Sequence, residues 1–232
     1  DDEKNKLVAE NVLYAKGLGL SDLPKGLVPF HKYDNVVVTA FEEHLYEAAK
    51  YAESKGVVKS HFTVGQDDKD KFEAEFEKVK NRVEEKTGSK FEVSYSYQDP
   101  KTDTIAVDGE NAPFRTEEGS MFFRPGGHGA LIDNLNHQDA DIIFIKNIDN
   151  VVIWESLGDV ADYKKMLAGK LLELKDETFN LIKALQNDPS EEVLKDASDF
   201  LTQKLFVKSL SGDESAAEYI EKLDRPLRVC GM

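Results

Sequence analysis

Three kinds of hydrophobic spacing follow one another along the chain. The first is helical. Phe41, Leu45, Ala48, Ala49 and Ala52 fall on one face of a segment running from Ala40 to Lys55, with Gly56 behind it. Phe72, Phe76, Val79 and Val83 do the same within a charged stretch from Asp67 to Thr87, with Gly88 after it. A weaker helical spacing, Leu7, Val8, Val12 and Leu13, lies in residues 3–16. The second kind is alternation. "VVKSHFTVG" (57–65) and "KFEVSYSYQ" (90–98) read as strands. The third is the continuous run "DIIFIKNID" (141–149), which reads as a parallel strand inside a sheet. Between these lie a Pro/Gly-punctuated loop (22–33), a polar stretch (99–118) with a short strand near Ile105–Val107, and a brief strand "SMFFR".

After Trp154 every period is helical. Tyr163, Leu167, Leu171, Leu174, Leu181 and Leu185 form one stripe, and Val193, Leu194, Ala197, Phe200, Leu201 and Leu205 the next. "NDPSEE" restarts the chain between them, with Asp188 as the expected N-cap, Pro189 at the first helical position and Glu191 at capping-box-like spacing. Leu227 to Cys230 reads as an entering strand. The pattern predicts two parts, an α/β region over 1–154 and a helical extension over 155–232. The alternation of helix and strand in the first predicts a mostly parallel sheet with helices on both faces. In such sheets ligands sit at the carboxyl ends of strands. Segments 22–33, 98–104, 124–129 and 146–150 all fall there.

Composition narrows the partners. A 232-residue chain that is 40% hydrophobic and 32% charged is an ordinary globular one. Its net charge of −15 argues against nucleic acid and anionic membrane surfaces, which attract basic patches. No apolar run approaches the roughly 20 residues that span a bilayer, and no signal-peptide pattern opens the chain. The one cysteine, Cys230, has no internal partner, so a reducing cytoplasm is expected. The start at Asp1 and the stop after "RPLRVCGM" suggest an internal piece of a longer protein.

The candidate chemistry lies in "FRPGGHGALIDNLN" (123–136). Gly126, Gly127 and Gly129 follow a strand and precede a helix, so backbone N–H groups can approach a ligand, with Arg124 and His128 beside them. The same glycines would also serve a tight turn with no ligand. Asp149 ends the apolar run between Asn147, Lys146 and Asn150. A carboxylate there can hold Mg²⁺ that bridges to phosphate, and Asp and Asn are equally good strand-end turn formers. Lys25 is a point charge for phosphate on a loop bounded by prolines, with His31 and Lys32 weaker candidates. Gln98, at a strand end, can pair with a base edge. The five histidines have no zinc spacing, and neither H-E-x-x-H nor G-x-S-x-G occurs.

Several of these segments, in order, resemble a known group. "LPKGLVPF" resembles the P-K-x-L-x-P segment of sugar-nucleotidyltransferases. "SYSYQ" and "RPGGHGALIDNL" resemble the glutamine and glycine-rich pattern of UDP-sugar pyrophosphorylases, and "IIFIKNIDNV" their strand ending in a D-N pair. More closely, residues 23–152 together with "RPLRVCGM" resemble a bacterial family, domain of unknown function 4301. The resemblance to the enzymes implies a nucleotide-diphospho-sugar transferase (GT-A-like) fold. It also implies sugar-1-phosphate nucleotidyl transfer, with Lys25 on phosphate and Gln98 on the base. Arg124, Gly126, Gly127, His128, Gly129 and Asn147 would line the nucleotide or nucleotide-sugar, and Asp149 would hold Mg²⁺ together with the nucleotide. One departure stands out: only 24 residues precede Lys25, and none forms the glycine-rich G-x-G-T/S-R loop of such enzymes. The chain alone is therefore expected to be inactive. A non-catalytic nucleotide- or sugar-binding module and a structural domain of a larger protein stand as alternatives.

Overall fold

The computed structural model describes residues 2–231. Two compact units divide it, Asp1–Gly158 and Asp159–Met232.

In the first unit, helix α1 (Asp2–Leu13) buries none of its side chains. Strands β1 (Pro29–Tyr33) and β2 (Val36–Thr39) form an antiparallel hairpin. The stretch read as loop at 22–33 thus ends as a strand, because Val36–Thr39 supplies its partner across a turn in which Asp34 takes φ 46°. Helix α2 (Ala40–Tyr51) starts where the Thr39 hydroxyl accepts the Glu42 N–H. Then come β3 (Glu53–Ser54), β4 (Val57–Val64), α3 (Lys69–Thr87) and β5 (Lys90–Tyr97). β4 and β5 pair in parallel, from Val57↔Lys90 to Val64↔Tyr97, and β3 adds a short antiparallel edge on the other side of β4. The core gathers Val38, Phe41, Leu45, Val58, Phe72, Val79, Val83 and Phe91 from these elements.

The expected sheet is not there. Among the described residues, parallel pairing is confined to β4–β5, and the sheets are small: β1–β2, β3–β4–β5, and β6 (Thr104–Ile105) with β7 (Phe123–Arg124). The mostly parallel sheet between helix layers, and the sugar-transferase architecture it would belong to, are therefore corrected to a mixed α/β arrangement of short sheets. Two physical reasons account for this. Strands buried on both faces are apolar throughout. β4 and β5 alternate, so they offer one apolar face, with Phe62, Val64, Val93 and Tyr95 on the core. The other face carries Lys59, His61, Thr63, Glu92, Ser94 and Ser96. Second, residues 141–147 join no ladder. Their alternate side chains are half-buried against α2, while Ile143 and Ile145 stay exposed.

Residues 104–124 form an arm that closes on itself. The Phe114 N–H donates to the Ala106 carbonyl, Phe122 to Phe114, and Ala106 to Phe122, at 2.8–2.9 Å. Backbone groups are thereby satisfied locally, although Phe114, Met121, Phe122 and Phe123 remain exposed. A short α4 (Ile132–Asn136) follows.

The helical character begins with α5 (Leu157–Asn187). In the second unit, α6 (Glu191–Asp199) runs into a single π-helical turn, Phe200–Lys204, and α7 (Ala216–Leu223) follows. Leu174, Leu185, Ala197, Phe200, Leu201, Tyr219 and Leu223 form its core. The α6 cap is Ser190, not Asp188: its hydroxyl accepts the Val193 N–H, while the Asp188 N–H still donates to Ala184. Leu227–Cys230 forms no strand; Leu227 and Val229 pack on the helices instead. An open groove of about 390 Å³ here is lined by Glu177, Leu181, Asp199, Phe200 and Lys204 and holds none of the candidate residues. Among the described residues, no helix is long and apolar enough to cross a membrane.

Candidate functional site

Lys25 opens a single 3-10 turn, Lys25–Leu27. The next residue has to be glycine-sized. A Cβ on Gly26 would stand 2.7 Å from the Phe72 ring and 3.1 Å from Ile148 Cγ1. The turn is thus pressed between α3 and the segment that carries Asp149. Lys25 Nζ donates to Asp149 Oδ2 at 3.0 Å, across 124 residues of sequence. Both side chains are open to solvent, at 74% and 43% exposure. The Lys25 hydrogen bond holds the Asp149 carboxyl below the usual carboxylate range, helped by a backbone hydrogen bond, the Lys25 charge and the charge of His128.

The segment before Asp149 has no sheet to position it, so α2 does so. Lys146 Nζ donates to both oxygens of Glu47, at 2.7 and 2.6 Å, with the glutamate buried and the lysine half-buried. Tyr51 also donates to Glu47, at 2.8 Å, and its ring lies 4.7 Å from that of Phe144. His44 Nε2 donates to the Ile148 carbonyl at 3.0 Å. Burial pushes the His44 imidazole below its ordinary pKa, with the neighbouring Lys146 charge adding to the shift. The contacts pair 144 with 51, 146 with 47 and 148 with 44, so the segment runs antiparallel along α2.

The second half of the site follows β5. Gln98 Nε2 is buried and has no hydrogen-bond partner. Gly126 lies over it: a Cβ there would stand 2.7 Å from the Thr102 carbonyl oxygen and 3.5 Å from Gln98 Nε2. Asn134 Nδ2 donates to Ser96 Oγ and to the Tyr97 carbonyl, both at 2.8 Å, and ties α4 to the end of β5. The structure therefore joins Lys25 to Asp149 and Gly126 to Gln98. Gly127 and Gly129 face open space. They lead into a 3-10 turn, His128–Leu131, and a five-residue helix, which is too short for a strong N-terminal dipole. Arg124 is exposed on β7 opposite Thr104. The Asn147 carbonyl accepts the Asn150 N–H, closing a turn around Asp149.

Among the described residues, no three His, Cys, Asp or Glu side chains stand where they could hold a metal ion. Asp149 is one carboxylate already committed to Lys25, a donor set that does not fit a protein-built Mg²⁺ site.

Sequence reasoning missed the residues that hold the site. Glu42, Glu43 and Glu47 are all buried on α2. Glu42 is paired with Arg82. Glu43 accepts from His31 Nδ1 and Tyr33 Oη, both at 2.7 Å, and from Trp154 Nε1 at 3.1 Å. Tyr33 and Trp154 stack with ring centroids 3.6 Å apart. The available signal was three glutamates interleaved with Phe41 and Leu45 on one helix, which leaves little room for a purely solvated face.

The sequence model of a family described as a domain of unknown function, DUF4301, matches residues 1–232. No curated protein and no solved structure matches the chain. The comparisons add no support for the likeness to UDP-sugar pyrophosphorylases.

Proposed function

This chain belongs to the family described as domain of unknown function DUF4301, and from that premise we propose that it is a nucleotide- or nucleotide-sugar-binding module. In this reading Lys25 meets phosphate and Gln98 meets the base. One observation carries it. A buried amide donor without a partner costs about 1–3 kcal/mol, and native structures rarely leave one unmade without a use for it. Gln98 Nε2 is such a donor, and only a glycine fits at 126, where the backbone packs closely over it. Lys25 supplies a solvent-open charge in a chain whose net charge otherwise repels phosphate. Mg²⁺ has no protein-built site in this reading. Transfer of a nucleotidyl group to a sugar 1-phosphate is the finer function that the resemblance implies, and it is a readout of the same test.

The test is a calorimetric screen of nucleoside mono-, di- and triphosphates and UDP-sugars, with and without Mg²⁺. At least one is expected to bind. Lys25→Met is expected to weaken it about tenfold or more, as loss of a charge-assisted hydrogen bond does. Gln98→Leu is expected to change the preference among bases, and Gly126→Ala to weaken binding by crowding Thr102 and Gln98. Pyrophosphate release from a nucleoside triphosphate and a sugar 1-phosphate would extend the reading to catalysis. The reading falls if no nucleotide binds, or if Lys25→Met and Gln98→Leu leave binding unchanged.

A further inference from the structure

Resting on the nucleotide reading for the place of the ligand, we infer that Asp149 is an internal competitor for Lys25, so that the site accepts a terminal phosphate dianion and turns away singly charged anions. The sequence reading makes this carboxylate a Mg²⁺ ligand together with a nucleotide, and its contact with Lys25 gives it a further part. Asp149 Oδ2 sits 3.0 Å from Lys25 Nζ, the position that a ligand oxygen would take. The carboxylate cannot drift far, because the chain just before it is fastened to α2 through His44 and Ile148 and through Lys146 and Glu47.

An attached carboxylate competes at the high effective concentration of an intramolecular group. A singly charged ligand, such as a phosphodiester or a free carboxylate, brings the same charge and gains nothing by the exchange. A terminal phosphate brings about one further charge at neutral pH and a third oxygen. It can displace Asp149 and still gain. Both side chains of the pair are exposed, so the exchange needs no opening of the core, and the displaced carboxylate returns to water. The selected class is a phosphomonoester, a nucleoside phosphate ending in a free phosphate or a sugar phosphate; a nucleotide-sugar, whose phosphates are both singly charged diesters, is disfavoured, which narrows the reading above to its nucleotide half.

Two base-free probes isolate the effect: phenyl phosphate, a dianion near pH 7.5, and its methyl ester, a monoanion. Binding is followed by NMR titration on the whole chain, in the wild type, in Asp149→Asn and in Asp149→Ser. The wild type is expected to prefer the dianion by about threefold, and both variants are expected to bind the monoanion about two- to threefold more tightly, closing most of the gap. Circular dichroism confirms that each variant is folded. A nucleoside monophosphate and a hexose 1-phosphate, run beside them, separate the two natural sources. Equal affinity of the wild type for both probes, weaker monoanion binding in the variants, or no binding of either probe would overturn the inference. Discrimination between the probes without binding of any nucleotide would leave the inference standing and remove the nucleotide reading. Nucleotide binding with no discrimination would do the reverse.

Discussion

Residues 36–97 and residues 98–153 of the first unit both contain runs of large apolar side chains, and they dispose of them in opposite ways. In the first stretch Val38, Phe41, Leu45, Val58, Val79 and Val83 are fully buried. In the second no residue is buried, and Ile105, Val107, Phe114, Phe122, Phe123, Ile143 and Ile145 are all exposed. The difference is not in the kind of residue. The first stretch sets its apolar positions at helix or strand period, so each element presents one face and the faces close on one another. The second satisfies its backbone locally, in the ring of hydrogen bonds through Ala106, Phe114 and Phe122, and needs no core to do so. The candidate site lies where the two meet. Lys25 and Gln98 are placed by the packed elements, while Gly126 and Asp149 come from the open stretch.

If that contrast holds, truncations on either side should differ by several kcal/mol. Phe41→Ala removes a ring packed against Phe62, Phe72 and Phe76 and should destabilise by about 4 kcal/mol. Phe123→Ala should stay within about 0.5 kcal/mol. Urea titration followed by Trp154 fluorescence reads both, since Trp154 is the chain's one tryptophan and packs on the core of this unit. Equal effects would erase the distinction.

The joint between the two stretches is the next point of attack. Lys146→Met leaves the Glu47 carboxylate buried with Tyr51 as its remaining donor, and should cost about 3 kcal/mol. Amide exchange over 142–150 should quicken in the same variant. A loss below about 1 kcal/mol would mean that the segment is held by other contacts.

Stability should also depend on pH at both ends of the range, through groups of the packed stretch. His44 is held below its ordinary pKa, chiefly by burial. The unfolded chain therefore binds the proton more readily, so stability falls as pH drops below about 6.5, the unfolded value. Tyr33, Tyr46 and Tyr51 are raised, by burial first and then by their glutamate neighbours, and burial pushes Tyr95 up to about 12. The folded chain keeps these protons longer, so stability falls as pH rises past about 10. Denaturation midpoints between pH 5.5 and 10.5 test both signs, and His44→Gln should flatten the acid limb. The smallest effect is at the site: Asp149→Asn should change stability by less than about 0.5 kcal/mol, because both partners of its ion pair are exposed.

Much of this molecule was legible in the sequence where period and punctuation agreed. The spacings of Phe41–Leu45 and Phe72–Val83, and the alternation in 57–64 and 90–97, determined α2, α3, β4 and β5. The leucine stripes determined the helices after Trp154. Lys25, Gln98, Gly126 and Asp149 could be named as candidates because they fall at element ends, in the segments that resemble nucleotidyltransferase motifs. Only the tertiary structure decided what happens to Ile142–Ile145. A continuous apolar run reports a wish to leave water, not the neighbour that grants it. A strand also needs a partner whose N–H and C=O groups are free and in register. Here α2 captured the run through Glu47 and His44, side chains whose partners no local pattern specifies. The Lys25–Asp149 contact is likewise a product of the fold: the two residues meet because Gly26 lets one turn settle against Phe72 and Ile148, a fit in three dimensions that leaves no period in the sequence.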